Sequence, residues 1–427
     1  MIQISKIRAN GLLNHSVAVL LISSIFSSAL IYNRAEGGIV LFTAIGAFLS
    51  FRLSTIRKDM NSQKILLLHL VFAGSILMTG IDAFGRSSVN FSFAMEFFGS
   101  LVCFSILGFL AYHFLKETDS QRFILPIFGV LCIILLIYTL SYKGRVYDLT
   151  GRYVITLGLP LCIFSLCFIG LLNPNNKAHF LSVVFFNTVT LFVASLGIAS
   201  RAQTLALVIS WLVGAFLLRY PLRVKLAYFL IPTLICTTYF YMNSKYYDKF
   251  FTKRFSAINE VVVNAAPITD TLLQDKKDSE TTVKKSEKKK TKQTSDNSIN
   301  TRLFLLNIGI QTAGSNFLFG AGNSAEGAVI KENVGNYANF HNQFISLTVQ
   351  GGIFHLISGI CFIFAPVIVL FRSTHPSLRP ALLLPSIFWA TLLPFTSYFN
   401  LTGMTHLHIF FSWLLAALVS GRKPKNQ

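Results

Sequence analysis

The sequence predicts an all-α polytopic membrane protein with about twelve transmembrane helices and one large loop outside the membrane. Hydrophobic residues make up 53% of the 427 residues, and charged residues make up only 13%, well below the usual share. The apolar residues fall in runs long enough to cross a bilayer, and one polar stretch separates two of these runs. So few polar groups could not cover a water-soluble surface, so a soluble globular protein is excluded.

The apolar runs have the length that a membrane-spanning helix needs, about 17–25 residues. Their approximate bounds are 12–32, 37–53, 65–82, 93–115, 123–142, 153–172, 179–198, 203–219, 225–243, 343–371, 379–396 and 404–420. Pro385 and Pro394 are expected to kink the eleventh run, because membrane helices tolerate proline.

Basic residues in the loops predict the orientation of these helices. An even number of spans leaves both chain ends on one side, and the loops of that side carry most of the lysines and arginines outside the large loop. By the positive-inside rule that side is cytoplasmic, and the large loop is periplasmic or extracellular. The loop's own lysines do not alter this prediction, because long loops cross the membrane largely regardless of charge.

The chain is thereby divided into three regions. Residues 1–243 are predicted to form transmembrane helices 1–9, residues 244–342 the outer loop, and residues 343–427 helices 10–12 and a cytoplasmic tail. Within the loop, residues 269–297 are almost devoid of apolar side chains and are expected to be disordered. A tether for anionic lipid headgroups is the functional alternative for this lysine-rich tract.

Order is expected to resume over residues 300–342, the part of the loop to which we assign the chemistry. Ser298 or Asn300 could cap an amphipathic helix whose apolar face is predicted to include Leu303, Leu306 and Ile310. Gly314 is predicted to end that helix, and a second helix is predicted to start near Asn339 and to become the tenth span.

Several classes of function are disfavoured by what the sequence lacks. The net charge of +20 does not indicate a nucleic-acid partner, because the basic residues are spread over short loops and one cluster, Lys276–Lys292. No clustered carboxylates and no cysteine or histidine pairs with metal spacing occur, so no metal site is predicted; His406 and His408 would point to different faces of a helix. No P-loop, GxSxG or CxxC motif is found, and no cofactor is predicted.

Three polar residues on the predicted outer side are candidates for catalysis. Arg201 lies in the short connection between the seventh and eighth runs, Arg302 starts the amphipathic helix, and His341 precedes the tenth run. Each could instead be an ordinary interfacial side chain. If Asn339 capped the helix, His341 would lie in its first turn, where the helix dipole would lower its pKa and keep it neutral, as a general base must be.

Arg145 and Arg152 could add positive charge to an outer vestibule, although ordinary loop charge explains them as well. Arginines suit pyrophosphate, since their planar fork makes bidentate, permanently charged contacts. A site with guanidinium groups and a neutral histidine at the membrane boundary therefore suits a lipid-linked pyrophosphate whose tail stays in the bilayer.

At these residues the chain resembles the O-antigen ligase and polymerase superfamily of bacterial envelope glycosylation. The similar segments are Ser200-Arg201-Ala202, the stretch from Arg302 to Gly320, the stretch from His341 to Gly352, and a weaker match at Gly144–Gly151. The twelve-span layout with a large periplasmic loop before the tenth span is also similar, and the resemblance implies a fold like that of the GT-C glycosyltransferases.

The resemblance is greatest to O-antigen ligases, and it implies an enzyme of the bacterial inner membrane whose site faces the periplasm. Such enzymes transfer a polysaccharide from undecaprenyl pyrophosphate to lipid A–core, without a metal or cofactor and with inversion. His341 would then be the base, Arg302 and Arg201 would bind the pyrophosphate, and Arg145, Arg152 and Asn342 would contact substrate. The expected partners are that lipid-linked donor, the lipid A–core acceptor and membrane lipids, with no nucleic acid.

Three alternatives stay open. An O-antigen polymerase would use the same donor with a second lipid-linked glycan as acceptor. A protein O-oligosaccharyltransferase would usually carry a larger periplasmic C-terminal domain than the tail after Gly421. A transporter of lipid-linked glycans would predict charged residues near mid-bilayer and an internal repeat, and neither is evident.

Overall fold

A computed structural model describes residues 60–86, 121–142, 158–197, 200–243, 297–322, 325–333, 340–396, 415–416 and 418–419. All regular structure within these ranges is helical. The α-helices are α1 (Met60–Arg86), α2 (Gln121–Tyr142), α3 (Gly158–Leu171), α4 (Lys177–Phe192), α5 (Arg201–Leu217), α6 (Leu222–Met242), α7 (Asn297–Ser315), α8 (Ala325–Asn333), α9 (Gln343–Ile363), α10 (Ala365–Leu370) and α11 (Pro380–Leu392). A π-helical turn, Val193–Gly197, extends α4, and 3₁₀ turns at Pro376–Leu378 and Leu393–Phe395 flank α11.

Each predicted apolar run that falls within the described ranges coincides with a helix. Four of these helical segments are long and apolar enough to cross a membrane, namely Lys177–Leu196, Leu222–Met242, Gln343–Ile363 and Pro376–Phe395. The all-helical fold is therefore confirmed within these ranges, and the four segments are consistent with a membrane protein. The total of twelve spans stays a prediction, because the first, second and fourth runs and most of the last lie outside the described residues.

The core of the bundle is centred on α3, whose described side chains are all buried. It packs between α4 and α11, and at Gly170 the backbones come so close that a Cβ would lie 2.3 Å from the Ala381 nitrogen. The buried Asn187 joins three helices, because its Oδ1 accepts a hydrogen bond from Ser165 and its Nδ2 donates to the Tyr228 carbonyl. A satisfied amide of this kind fixes the register of helices that dispersion alone would leave free to slide.

Helices at the periphery are apolar on their exposed faces as well as on their buried ones. Helix α1 buries Phe72 and Ile76 but leaves Leu67 exposed, and α6 exposes a row of large aliphatic side chains that includes Leu230. Helices that are apolar all round are typical of a lipid environment. The exposed faces therefore agree with the membrane character predicted from composition.

The prediction of one continuous apolar helix over 343–371 is wrong, because α9 is broken at two glycines. Gly351 has φ −142° and ψ 21°, and Gly352 has φ 66° and ψ −161°, a conformation that is almost confined to glycine. The break frees backbone groups in an apolar helix, where each unpaired group is costly.

The turn that follows α7 pairs these freed groups. The Ala321 amide donates to the Val349 carbonyl over 2.6 Å, and the Gly322 amide donates to the Gln350 carbonyl over 3.1 Å. In return the Ile353 amide donates to the Phe317 carbonyl over 2.7 Å. We call this arrangement the glycine clasp: residues 316–322 docked against the break at Gly351–Gly352.

Replacing Gly352 by alanine should unfold the clasp. A Cβ at this position would lie 2.2 Å from the Leu318 carbonyl oxygen, and the positive φ adds strain. We expect a loss of at least about 3 kcal/mol from the combined strain and clash, seen as a lower melting temperature of the purified protein. Gly327→Ala is the matched control, since no atom lies within 4 Å of its added Cβ; equal melting temperatures for the two variants would contradict the clasp.

Candidate active site

Helices α7 and α8 form a small unit with the first half of α9, and this unit has its own core. Leu305, Ile330, Phe340 and Val349 are buried together in it. We call α7, residues 316–322, α8 and residues 340–350 the α7–α8 unit. It contains all the candidate residues that the sequence assigned to the segment after residue 300.

The face on which α7 packs differs from the predicted one. Leu305 is buried, whereas Leu303 and Ile310 are exposed. The reason is Gly309, whose missing side chain lets α7 approach so closely that a Cβ there would lie 2.6 Å from Ile345. The predicted boundaries also shift: α7 begins at Asn297, before the expected caps, and ends at Ser315, one residue after Gly314.

A buried carboxylate, Glu326 of α8, organises the chain around the candidate histidine. Its Oε1 accepts hydrogen bonds from the Phe340 amide at 2.9 Å and from the Ser346 hydroxyl at 2.7 Å. Its Oε2 accepts one from Gln350 Nε2 at 2.9 Å. Burial raises the pKa of Glu326, and these three donors act in the opposite direction. The carboxylate thus ties α8 to the residue before His341 and to two turns of α9.

His341 lies in a tight bend immediately before α9. Its φ is 55°, the only positive value among the described non-glycine residues, and histidine is one of the residues that tolerate this region. Asn342 then caps α9, its Oδ1 accepting a hydrogen bond from the Ile345 amide at 3.2 Å. The prediction that Asn339 caps the helix and that His341 lies in its first turn is therefore wrong: His341 precedes the cap.

The electrostatic environment of His341 favours the neutral imidazole. Burial is the larger cause and the positive charge of Arg302 the smaller, and together they lower the pKa of His341 to about 4. A lowered pKa was expected, but from a helix dipole; the structure attributes it to burial and to a guanidinium from α7. Near neutral pH the ring can therefore accept a proton.

The structure brings Arg302 and His341 together, since the Arg302 charge acts on the imidazole, and the Arg302 side chain is exposed to solvent. Arg201 is the first residue of α5, after its cap Ser200, but its side chain lies outside the described part of the protein. Arg145 and Arg152 lie outside the described residues altogether, as do residues 269–296, His406 and His408. The roles of Arg201, Arg145 and Arg152 stay predictions.

Asn342 was predicted to contact substrate. The structure uses its Oδ1 in the helix cap, and the contact with substrate stays a prediction. In the described ranges no group of three or more histidine, cysteine, aspartate or glutamate side chains is placed to hold a metal ion.

Glu326 was not predicted to be part of the site. It is the only buried acid among the side chains whose burial the structure describes. A usable signal existed, because Glu326 stands among apolar residues in a chain that has only 17 acids. An acid that is buried among apolar residues needs hydrogen-bond donors for its oxygens.

Glu326→Met should impair the site while roughly keeping the size of the side chain. A thioether cannot replace the carboxylate as acceptor, so the buried Phe340 amide loses its hydrogen-bond partner. We expect about 1–3 kcal/mol of lost stability in the α7–α8 unit, measured by thermal unfolding, and reduced activity. Glu332→Met, on the exposed face of the same helix, should have little effect; similar losses in both would contradict the role of Glu326.

Part of the chain matches a known family. Residues 186–358 match the family model described as O-antigen ligase. The matched range runs from α4 into α9 and includes Arg201, Arg302 and His341. It also includes both segments of the glycine clasp, residues 316–322 and the break at Gly351–Gly352. No curated protein and no solved structure matches the chain.

Proposed function

We propose that this chain, which the match over residues 186–358 assigns to the O-antigen ligase superfamily, is an O-antigen ligase. It would transfer a finished O-polysaccharide from undecaprenyl pyrophosphate to lipid A–core in lipopolysaccharide biosynthesis. The enzyme would lie in the bacterial inner membrane with the α7–α8 unit facing the periplasm, as the positive-inside rule predicts for the loop before α9.

The proposed reaction is a single displacement with inversion. The acceptor hydroxyl oxygen attacks the anomeric carbon of the glycan from the face opposite the pyrophosphate, and a new C–O bond forms. His341 takes the hydroxyl proton as that bond forms. The bond from the anomeric carbon to the pyrophosphate oxygen breaks, and undecaprenyl pyrophosphate leaves with the electron pair.

Arginines stabilise the departing group in this proposal. Arg302 and Arg201 bind the pyrophosphate and neutralise the charge that grows on it as the bond breaks. Arg145 and Arg152 add positive charge to the vestibule, and Asn342 offers its amide nitrogen to a sugar. Bidentate guanidinium contacts can do this without a metal ion.

The observation that carries the proposal is the pair formed by His341 and Arg302. A neutral imidazole and a permanent cation lie close enough to interact, within a segment that matches the O-antigen ligase family. Metal-free transfer from a pyrophosphate donor requires a base for the acceptor hydroxyl and a cation that binds the pyrophosphate.

Reconstitution tests the proposal and separates it from its nearest rival. The purified protein in liposomes is given a lipid-linked O-polysaccharide, lipid A–core and a metal chelator. Glycan attached to lipid A–core supports the ligase. Longer glycans on the lipid carrier, with none on the core, would indicate the polymerase, and movement of the donor across the bilayer without any new glycosidic bond would indicate a transporter.

A further inference from the structure

The apolar stretch that begins with α9 is too long to lie entirely within a bilayer. From Gln343 to Leu370, α9 and α10 would span about 42 Å if they were straight, against a hydrocarbon core of about 30 Å. The portion after the break, from Ile353 to Leu370, would span about 27 Å and fits that core. The length of the helix therefore suggests that the membrane begins at the break.

The portion of α9 before the break is enclosed by protein. Ser346 and Gln350 are buried and donate hydrogen bonds to the Glu326 carboxylate, and Gln343 is buried beside them. Because these side chains bond to, or lie beside, a buried carboxylate of α8, Gln343–Gln350 belongs to the α7–α8 unit. This part of α9 is therefore surrounded by protein and not by lipid.

The clasp presents apolar side chains at the level of the break. Phe317, Leu318 and Phe319 are consecutive and exposed, Phe319 by 78%. The Phe317 carbonyl is bonded to the Ile353 amide, so the turn is held at the first residue after the break. Three large apolar side chains in a row at one turn would form a costly patch in water.

The exposed surface of α9 continues this patch toward the membrane. Phe354 is 63% exposed, and its ring lies 6.4 Å from that of Phe319. Ile357, one turn further along α9, and Ile368 of α10 are also exposed. The exposed apolar surface of the turn therefore continues along the portion from Ile353 to Leu370, which is long enough to cross the hydrocarbon core.

We propose that the turn Phe317–Phe319 inserts its side chains into the outer leaflet of the bilayer and, with Phe354, sets the membrane boundary at Gly351–Gly352. Phenylalanine and leucine side chains are favoured in the hydrocarbon over water. His341 then stands outside the hydrocarbon by at most about 20 Å, because the eight residues of α9 before the break span about 12 Å and the two residues that precede α9 can add about 4 Å each. The clasp thus fixes the height of the site above the bilayer, whatever reaction the site performs.

Tryptophan quenching by brominated lipids tests this placement. The full chain is reconstituted in phosphatidylcholine vesicles that carry bromine either near the headgroup or near the end of the acyl chain. Emission is measured for Phe319→Trp and, should that variant fold poorly, for Leu318→Trp, with the emission of the native protein subtracted. Ile357→Trp is the lipid-facing reference, and Asn333→Trp, exposed at the end of α8, is the water-facing reference.

We expect the added emission at 319 to be quenched, and more strongly by bromine near the headgroup than by bromine near the chain end. Emission at 333 should be unaffected. Emission at 319 that is as insensitive as that at 333 would overturn the proposal. Quenching at 333 equal to that at 319 would also overturn it, because the whole α7–α8 unit would then lie in lipid.

Discussion

His341→Asn should reduce glycosyl transfer by about 10²–10⁴-fold, the usual contribution of a general base. Asparagine is the replacement of choice because it tolerates the positive φ of 55° at this position. The bend before α9 should therefore be kept while the imidazole is lost. Transfer is measured in liposomes at equal amounts of folded protein, with the melting temperature checked for each variant.

His375→Asn provides the matched control. His375 is exposed and caps the 3₁₀ turn at Pro376–Leu378, where its Nδ1 accepts a hydrogen bond from the Ser377 amide. Asparagine can cap that turn in the same way. The control should transfer like the native protein. Near-native transfer by His341→Asn would remove the histidine from the mechanism, whatever the structure suggests about its pKa.

Arg302→Lys should lower transfer by about 10²–10³-fold, as the loss of one strong contact to a developing oxyanion does. Lysine keeps the positive charge, but it is a point charge and cannot reproduce the bidentate contact that a guanidinium makes with a phosphate. Because Arg302 is exposed on α7, the exchange should leave stability almost unchanged. The loss should appear in the rate at saturating donor as well as in donor affinity.

The control for this exchange is Arg372→Lys, at another exposed arginine that follows α10. It should behave like the native protein. If Arg302→Lys also did so, charge alone would suffice at this position, and the proposed recognition of pyrophosphate by the guanidinium fork would be wrong.

Much of the membrane bundle could be predicted from the sequence, whereas the packing around the site could not. Long apolar runs mark helices directly, and each run within the described ranges is helical. The break at Gly351–Gly352 was missed because a glycine pair in an apolar run is compatible with a continuous membrane helix. What breaks it is the turn at 316–322, and the pairing of two segments so far apart leaves no local pattern.

The polar residues of the site were also only partly predictable from the sequence. His341 and Arg302 could be singled out because polar residues are rare in this chain, and the structure brings them together. The left-handed bend at His341, next to a residue whose amide is bonded to Glu326 of another helix, has no local sequence pattern from which it could be predicted. The packing face of α7 was missed because its closest contact is made by Gly309, a residue that hydrophobic patterns ignore.

The pH dependence of transfer tests most directly the central claim, that His341 is a base kept neutral by burial and by Arg302. With a pKa of about 4, the imidazole stays neutral from neutral pH down to about pH 5 and becomes protonated as the pH falls through about 4. The native rate should therefore be flat over that range and fall below it. In Arg302→Gln the positive charge is gone, so the residual rate should begin to fall at higher pH, while Arg302→Lys should keep the native profile. A fall centred near 6.5 in the native enzyme, the pKa of an ordinary histidine, or profiles that are identical in Arg302→Gln and Arg302→Lys, would contradict the account.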